Sequence, residues 1–439
     1  MRPKMRVKPP GPRAKRTMIR DSMIMSPSLT RDLPLVVEKS YGSNVEDIDG
    51  NVYLDFTSGV AVANIGHSNP EVTKAISSQV KKVSHVCFSD FYADLPVRFA
   101  ERLKEFLPKS LNTVFLSNSG SETIEAAMKL ARYHTKRKHF LAFYGGFHGR
   151  TFGALSLTSS KSIQRKNFGP LLPVHHAPYA YCYRCPFGKN PRECETECVR
   201  YIEDYIFKRE VPADEFAACF VEPIQGEGGY IVPPRKFHTE LKKLCEENGI
   251  LYVADEIQAG CFRTGKFLAS EHFGITPDIV CLSKAIGGGL PIGVTVASKK
   301  IMNWPPKTHA NTFGGNMLAC ASGIAVLDYL EENRIGEKVE RDGKHALEFL
   351  EKLKDEARLI GDVGGKGLMI GVELVKDQKK KEPAVKERNM IVNNAFEKGL
   401  VLLGCGDSSI RIAPPLTIER EDLDIGLEIL KSTFLYSKL

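Results

Sequence analysis

The chain has 439 residues, 42% of them hydrophobic and 26% charged, enough to build one large domain and a smaller one. Of its net charge of +8, eight positives (Arg2, Lys4, Arg6, Lys8, Arg13, Lys15, Arg16, Arg20) fall in the first twenty residues with no acid among them; 8 minus 8 leaves a neutral body, which excludes a nucleic-acid surface there. The uncharged run Ala285 to Ser298 is too short and glycine-rich to span a bilayer, Thr312 to Leu327 is broken by Asn316, and the N-terminus lacks a secretory signal's apolar core, so a cytoplasmic protein is expected.

The basic, proline-rich arm reads as a solvated or subunit-clasping extension. Glutamine occurs only five times beside abundant Lys, Arg and Glu, which leans towards a heat-adapted source. Further on, strand and helix signals alternate, which predicts an α/β fold with a mostly parallel central sheet. "NTVFLSNSGSE" runs as a strand into Ser119, Gly120 and Ser121. After it, Ile124, Ala127, Met128 and Ala131 recur at spacings of 3 and 4, the stripe of a half-buried helix. Free amides at that helix start beside Gly120 and Ser121 form a cradle for phosphate, although an ordinary helix capped by Ser119 or Ser121 accounts for the segment taken alone.

"KHFLAFYGGFHGRT" then runs into Phe147 and Arg150, "AACFVEPIQGEGG" into Glu222 and Glu227, "GILYVADEIQ" into Asp255 and Gln258, and "DIVCLSK" into Lys284. Ligands of open α/β sheets bind beyond the carboxyl ends of the strands, so five such endings in polar groups describe one active site. Between them, Cys182, Cys185, Cys194 and Cys198 read C-x2-C-x8-C-x3-C, which fits a structural zinc, two disulfides or free thiols; no His or carboxylate beside them leaves an open, catalytic metal site. The other seven of the 11 cysteines stand singly, as buried thiols do.

Asp255 closes the apolar run "ILYVA", and a carboxylate there needs a partner. Lys284 closes another apolar run 29 residues later (284 minus 255), followed by Gly287, Gly288 and Gly289 that permit close approach. A structural ion pair is the plain reading. The sharper one is a pyridoxal phosphate site, with Lys284 bonded to the cofactor aldehyde and Asp255 keeping the pyridine nitrogen protonated.

"SNSGSETIEAAMKLAR", "GGFHGRT", "EPIQGEGG", "ADEIQAG", "RTGK", "SKAIGGGLPIG" and "NTFGGN" together resemble the motif series of class III (ω-amino acid type) aminotransferases of pyridoxal phosphate fold type I, including archaeal 4-aminobutyrate aminotransferase-like proteins. The resemblance runs from about Tyr53 to "IRIAPPLTI" and preserves motif order. It implies a large domain with a mostly parallel sheet over residues 71–329, and a smaller α+β domain from residues 1–70 and 330–439. In the latter, "EKVERDGKHALEFLEKLKDE" reads as a helix with its stripe at Val339, Ala346, Phe349, Leu350 and Leu353, and "GLMIGVELV" and "GLVLLGC" read as strands.

The resemblance further implies roles. Lys284 holds the cofactor and shuttles the proton, and Asp255 pairs with the pyridinium. Gln258 reaches the phenolic oxygen and Phe147 stacks on the ring. Gly120 and Ser121 bind the phosphate with Thr312 of a neighbouring subunit, which makes the enzyme at least a homodimer. Arg150 and Arg411 bind substrate carboxylates, and Glu227 pairs with Arg411 when no α-carboxylate is present. The expected reaction is ping-pong transfer of an amino group from an ω-amino or neutral amino acid to 2-oxoglutarate. Racemization or epimerization on the same fold is the alternative, with Glu227 as the far-face acid. Partners are small amino and oxo acids, with neither nucleic acid nor membrane. Two departures stand out. Gly260, Cys261, Phe262 and Arg263 replace a glycine-phenylalanine-glycine run, and Val60 stands where ornithine-type members carry tyrosine, which points to an apolar or short substrate.

Overall fold

A computed structural model describes residues 2–435; Met1 and residues 436–439, the outer ends of the expected small-domain segments, lie outside the described residues. The chain divides into two compact units, one built from residues up to Pro70 together with those from Lys338 on, the other from Glu71–Glu337.

The larger unit holds a seven-stranded sheet: β1 (Thr113–Ser117), β2 (His139–Phe143), β3 (Val174–Ala177), β4 (Phe216–Val221), β5 (Leu251–Asp255), β6 (Ile279–Leu282) and β7 (Gly293–Ala297), in spatial order β1-β7-β6-β5-β4-β2-β3. Neighbours from β6 through β3 pair parallel, and β7 runs antiparallel between β1 and β6. The strands feel two cores. Leu141, Phe143, Cys219, Val221, Tyr252 and Ala254 enter one cluster, while Phe140, Ala142, Ala218, Phe220 and Val253 enter the other. That is the period of two of a pleated strand whose faces are both covered, which explains why these runs read as continuously apolar rather than alternating.

Helices supply the covers. Helix α1 (Gly120–Thr135) buries Ile124, Ala127, Met128, Leu130 and Ala131 in the second cluster. Helix α2 (Arg235–Glu247) buries Phe237, Leu241, Leu244 and Cys245 in the first. α1 starts where Ser119 Oγ accepts the Glu122 N–H at 3.2 Å and stops at Lys136, which is left-handed with φ 62°. Helix α3 (Met317–Glu332) is capped by Asn316, whose Oδ1 accepts from Leu318 and Ala319. It lies against the glycine run after β6: a Cβ on Gly288 (φ +57°) would sit 2.8 Å from Ser322 Oγ, and Ser322 Oγ donates to Gly287 O at 2.8 Å. The glycines expected to clear space beside Lys284 therefore also let a helix pack closely on that turn.

The smaller unit has two four-stranded sheets. One pairs Val37–Tyr41, Asn44–Asp47, Val52–Asp55 and Leu400–Val401; the other pairs Ile360–Lys366, Met369–Leu374, Ser409–Ile412 and Leu403–Cys405. The basic arm is docked on this unit. Lys4 exchanges backbone hydrogen bonds with Val52, and Asn51 Oδ1 accepts from the Arg6 and Val7 amides. Helix Pro12–Ile24 has no side-chain cap of its own; instead Asp49 accepts the Arg13 and Ala14 N–H groups at 2.9 and 2.8 Å. No helix among the described residues is long and apolar enough to cross a membrane.

Candidate active site

The carboxyl ends of β5, β4 and β2 bring three buried ionisable groups together. Asp255, 4% exposed, ends β5; His148, 3% exposed, lies five residues past β2; Glu222, 5% exposed, follows β4. His148 Nδ1 and Asp255 Oδ2 are 2.7 Å apart, and the Ile257 N–H donates to Asp255 Oδ1 at 3.1 Å. Burial alone pulls the His148 ring towards neutrality, but its bond to Asp255 and the charges of Asp255 and Glu222 outweigh that, so its pKa is raised. Burial pushes the Glu222 carboxyl upward, with Asp255 adding to the effect and His148 and two backbone donors opposing it. Those donors are the Phe147 and Gly226 amides at 2.9 and 2.8 Å, so Glu222 ties the loop after β2 to the loop after β4.

The expected phosphate cradle joins the same network. A Cβ on Gly120 would meet the Ile257 side chain at 3.1 Å, and Ser121 Oγ accepts the Arg150 N–H at 3.3 Å. Ser121 thus touches Arg150, two residues beyond His148 on the same loop, while His148 pairs with Asp255, which holds the amide of Ile257 beside Gly120. Gln258 is held by Tyr230, whose hydroxyl donates to its Oε1 at 2.8 Å, and a Cβ on Gly226 would strike the Gln258 amide nitrogen at 2.4 Å. Arg150 is exposed, its guanidinium 5.5 Å from the centre of the half-buried Phe147 ring.

Lys284 follows β6, whose Cys281 stands opposite Asp255 in register, three residues before the lysine. Its backbone is left-handed at φ 47°, uncommon for a residue with a side chain. Among the described residues this places an amine one strand over from a buried carboxylate. Glu227 Oε1 accepts from Lys161 Nζ at 2.8 Å, a partner 66 positions away that no local pattern reveals. Thr312 is exposed on the loop where Asn311 Nδ2 donates to Leu116 O at 2.9 Å.

Two expected substrate residues belong to the smaller unit. Arg411 is buried in strand Ser409–Ile412, opposite Gly371 and Leu403. Val60 lies in a turn where Ser58, Gly59, Val60 and Ala61 all have positive φ, 50°, 60°, 62° and 59°. A β-branched residue there is strained, and Asp55 supports the turn: its Oδ1 accepts from Thr57 N and Oγ1, both at 2.7 Å, and its Oδ2 meets His67 Nε2 at 2.7 Å. The departure at Cys261 and Phe262 is strained too, at φ 55° and 61°, angles a glycine adopts freely.

Sequence alone gives no role to His148, Tyr230 or Lys161, and marks Glu222 only as a strand-ending carboxylate. A buried carboxylate ending an apolar strand requires a cationic partner, so the His in "GGFHGRT" was the available signal. All 11 cysteines are free thiols, and no three His, Cys, Asp or Glu side chains among the described residues converge to hold a metal ion.

The donor set suits a molecule with a basic ring nitrogen, an anionic phosphate and an aldehyde: a buried carboxylate, a helix N-terminus flanked by Gly120 and Ser121, and a lysine amine. The model of the class-III aminotransferase family matches residues 25–434, and the chain belongs to that family. It is a pyridoxal-phosphate-dependent enzyme of fold type I, as its mostly parallel sheet and the structural match below show. A leucine/methionine racemase of Thermococcus litoralis is 44% identical over 399 residues, 91% of this chain and 90% of that protein. An acetylornithine aminotransferase of Methanopyrus kandleri is 40% identical over 396 residues, 90% of this chain and 92% of that protein. The crystal structure of an amine transaminase from an uncultivated Pseudomonas species, in a form with pyridoxal phosphate bound, superposes with a TM-score of 0.87 at 32% identity, covering 94% of this chain and 97% of that one.

Proposed function

We propose that the enzyme moves the amino group of a neutral or ω-amino acid, such as a short apolar amino acid or a 4-aminobutyrate-like donor, to 2-oxoglutarate in two half-reactions. The observation that carries this reading is the buried Asp255–His148 pair one strand away from Lys284. When bound, pyridoxal phosphate supplies an electron sink for the electrons released when a proton leaves the amine-bearing carbon. Asp255, fixed by His148 and the Ile257 amide, holds the proton on the ring nitrogen. Lys284 would hold the cofactor through its aldehyde, and its amine, once free, would take the proton from the substrate carbon. Gly120 and Ser121 take the phosphate, joined by Thr312 of a second copy in a homodimer. Gln258, held by Tyr230, would reach the phenolic oxygen, and Phe147 would stack on the ring. Val60, Arg150, Glu227 and Arg411 shape the substrate side.

A second reading is favoured by the leucine/methionine racemase relative at 44% identity: the proton returns to the opposite face of the same carbon. Glu227, with Lys161 at 2.8 Å, is then the far-face donor. Chiral chromatography of reactions with 4-aminobutyrate, lysine, leucine, methionine and alanine, with and without 2-oxoglutarate, separates the two. Glutamate formed only when 2-oxoglutarate is added supports transfer; D-enantiomer formed from an L-amino acid without any oxo acid overturns it in favour of racemization.

A further inference from the structure

Away from the active-site network, one cavity of about 60 Å³ gathers all four clustered cysteines between Tyr179 and Phe237. It is too small for a drug-sized ligand, whose sites run to about 300 Å³ or more. The four thiols are not equivalent. Cys194 is engaged, its thiol donating to Glu197 Oε2 at 2.8 Å and its sulfur accepting the Thr196 N–H at 3.3 Å. Cys198 is buried on helix Glu197–Tyr201, and burial, helped by its neighbours Cys194 and Cys182, pushes its thiol up to about 12. Cys182 and Cys185 are both partly exposed: Cys182 opens the 3₁₀ turn Cys182–Arg184, its thiol directed to Ala180 O at 4.0 Å and raised in pKa by partial burial, and Cys185 directly follows the turn. Residues i and i+3 of such a turn lie within about 7 Å at Cα, and disulfides span about 4.4–6.8 Å.

Tyr179, in the cavity wall, reaches the active-site loops, and Phe237 of the same wall packs on Phe143 at 5.5 Å. Tyr179 donates its hydroxyl to Glu222 O at 3.0 Å and Pro223 O at 3.1 Å, and its ring packs edge-on against Phe143 at 5.9 Å and Phe237 at 5.1 Å. Glu222 is the residue whose carboxylate holds the Phe147 and Gly226 amides. Phe143 ends β2, four residues before Phe147.

We propose that Cys182 and Cys185 form a reversible thiol–disulfide site, oxidised by low-molecular-weight disulfides, whose state reaches the active site through Tyr179 and Glu222. The Cys185 thiolate attacks one sulfur of the external disulfide and expels a thiolate. The Cys182 thiolate then attacks the mixed disulfide and expels the second. Two protein thiols are oxidised, one external disulfide is reduced to two thiols, and the two protons pass to solvent or to the leaving thiolates. A bond closing so short a loop gains little from chain entropy, so its population follows the ambient redox poise. Ring closure pulls the two ends of the turn together and repacks the cavity wall that Tyr179 shares.

Holoenzyme treated with oxidised glutathione, alkylated and digested, tests the bond by peptide mass; kcat and the visible absorbance of the bound cofactor test its reach. The expected result is a Cys182–Cys185 disulfide, a change in kcat of about threefold or more, and full reversal by dithiothreitol. Cys185→Ser abolishes both the bond and the response. Tyr179→Phe still forms the bond but loses most of the response, which a merely structural tyrosine does not predict. Recovery of both cysteines alkylated after oxidation overturns the proposal. So does a disulfide that leaves kcat and absorbance unchanged, or purified enzyme that retains zinc on these thiols. The bond and the absorbance are read independently of which reaction the enzyme catalyses.

Discussion

The ring nitrogen Nδ1 of His148 lies 2.7 Å from carboxylate oxygen Oδ2 of Asp255, both side chains almost fully buried at the carboxyl end of the large sheet. The pair settles how a carboxylate can end a buried strand: the imidazole takes one oxygen and the Ile257 amide the other. A buried ion pair contributes little net stability, but losing one partner is costly. What the pair provides is a carboxylate of fixed orientation.

His148→Asn should therefore act through Asp255. Removing one partner of a buried pair costs about 3–5 kcal/mol of stability. Loss of orientation should lower kcat about tenfold, equivalent to about 1.4 kcal/mol of transition-state stabilisation, with KM much less affected. Steady-state kinetics and the cofactor's visible spectrum check it; a lower Tm with an unchanged spectrum and pH profile would mean His148 only supports the fold.

Gly149→Ala tests the cradle. Its φ is +139°, and a Cβ there would lie 2.3 Å from Ser121 Oγ and 2.9 Å from Ala154 Cβ. The substitution should cost about 1–3 kcal/mol and weaken cofactor binding, because Ser121 has to move. Gly364 has open space at its Cβ position and no positive φ, so Gly364→Ala should stay within about 0.5 kcal/mol. Equal effects of the two substitutions in thermal melts and cofactor titrations would refute the cradle.

Two buried groups give the pH dependence opposite signs. Burial pushes His238 down to about 4, partly offset by its bond to Pro223 O. Between pH 6.5 and about 4 the unfolded chain binds a proton that the native ring refuses, so this group makes stability fall with falling pH, by about 3 kcal/mol. Burial pushes Glu256 up to about 7, opposed mainly by its hydrogen bonds with Ser270 and Ala269. Between pH 4.5 and about 7 the native carboxyl keeps a proton that the unfolded chain has released, so this group makes stability fall with rising pH. His238→Gln should leave the Glu256 slope exposed, making the variant relatively more stable at pH 4.5 than at pH 7 when each is compared with wild type. Denaturant titrations at the two pH values read the difference directly.

In the smaller unit, Asp55→Ala removes the acceptor for Thr57 N, Thr57 Oγ1 and His67 Nε2. These bonds hold the left-handed turn Ser58–Ala61, so the loss should be about 2–4 kcal/mol, seen as a lower denaturant midpoint. Val60→Gly in the same background should recover part of it by relieving about 1–2 kcal/mol of strain. No recovery would mean the turn is not strained.

The sequence by itself determined five of the seven strands of the large sheet and where chemistry sits beyond them. Five apolar runs lead into the named site residues, and β1, β2, β4, β5 and β6 end at them or a few residues before them, because a strand covered on both faces can release a polar side chain only at or beyond its end. Motif order carried the family and its cofactor. Partners in space were beyond it. His148 was visible inside "GGFHGRT", but its match with Asp255 exists only because β2, β4 and β5 lie side by side. β7 reads as one more uncharged stretch until its antiparallel place between β1 and β6 is known. Lys161 at Glu227 and Tyr179 at Glu222 O likewise join residues 66 and 43 positions apart. Local pattern follows from periodicity and burial along one segment; pairing follows from how separate segments cover one another, and only the tertiary structure decided that.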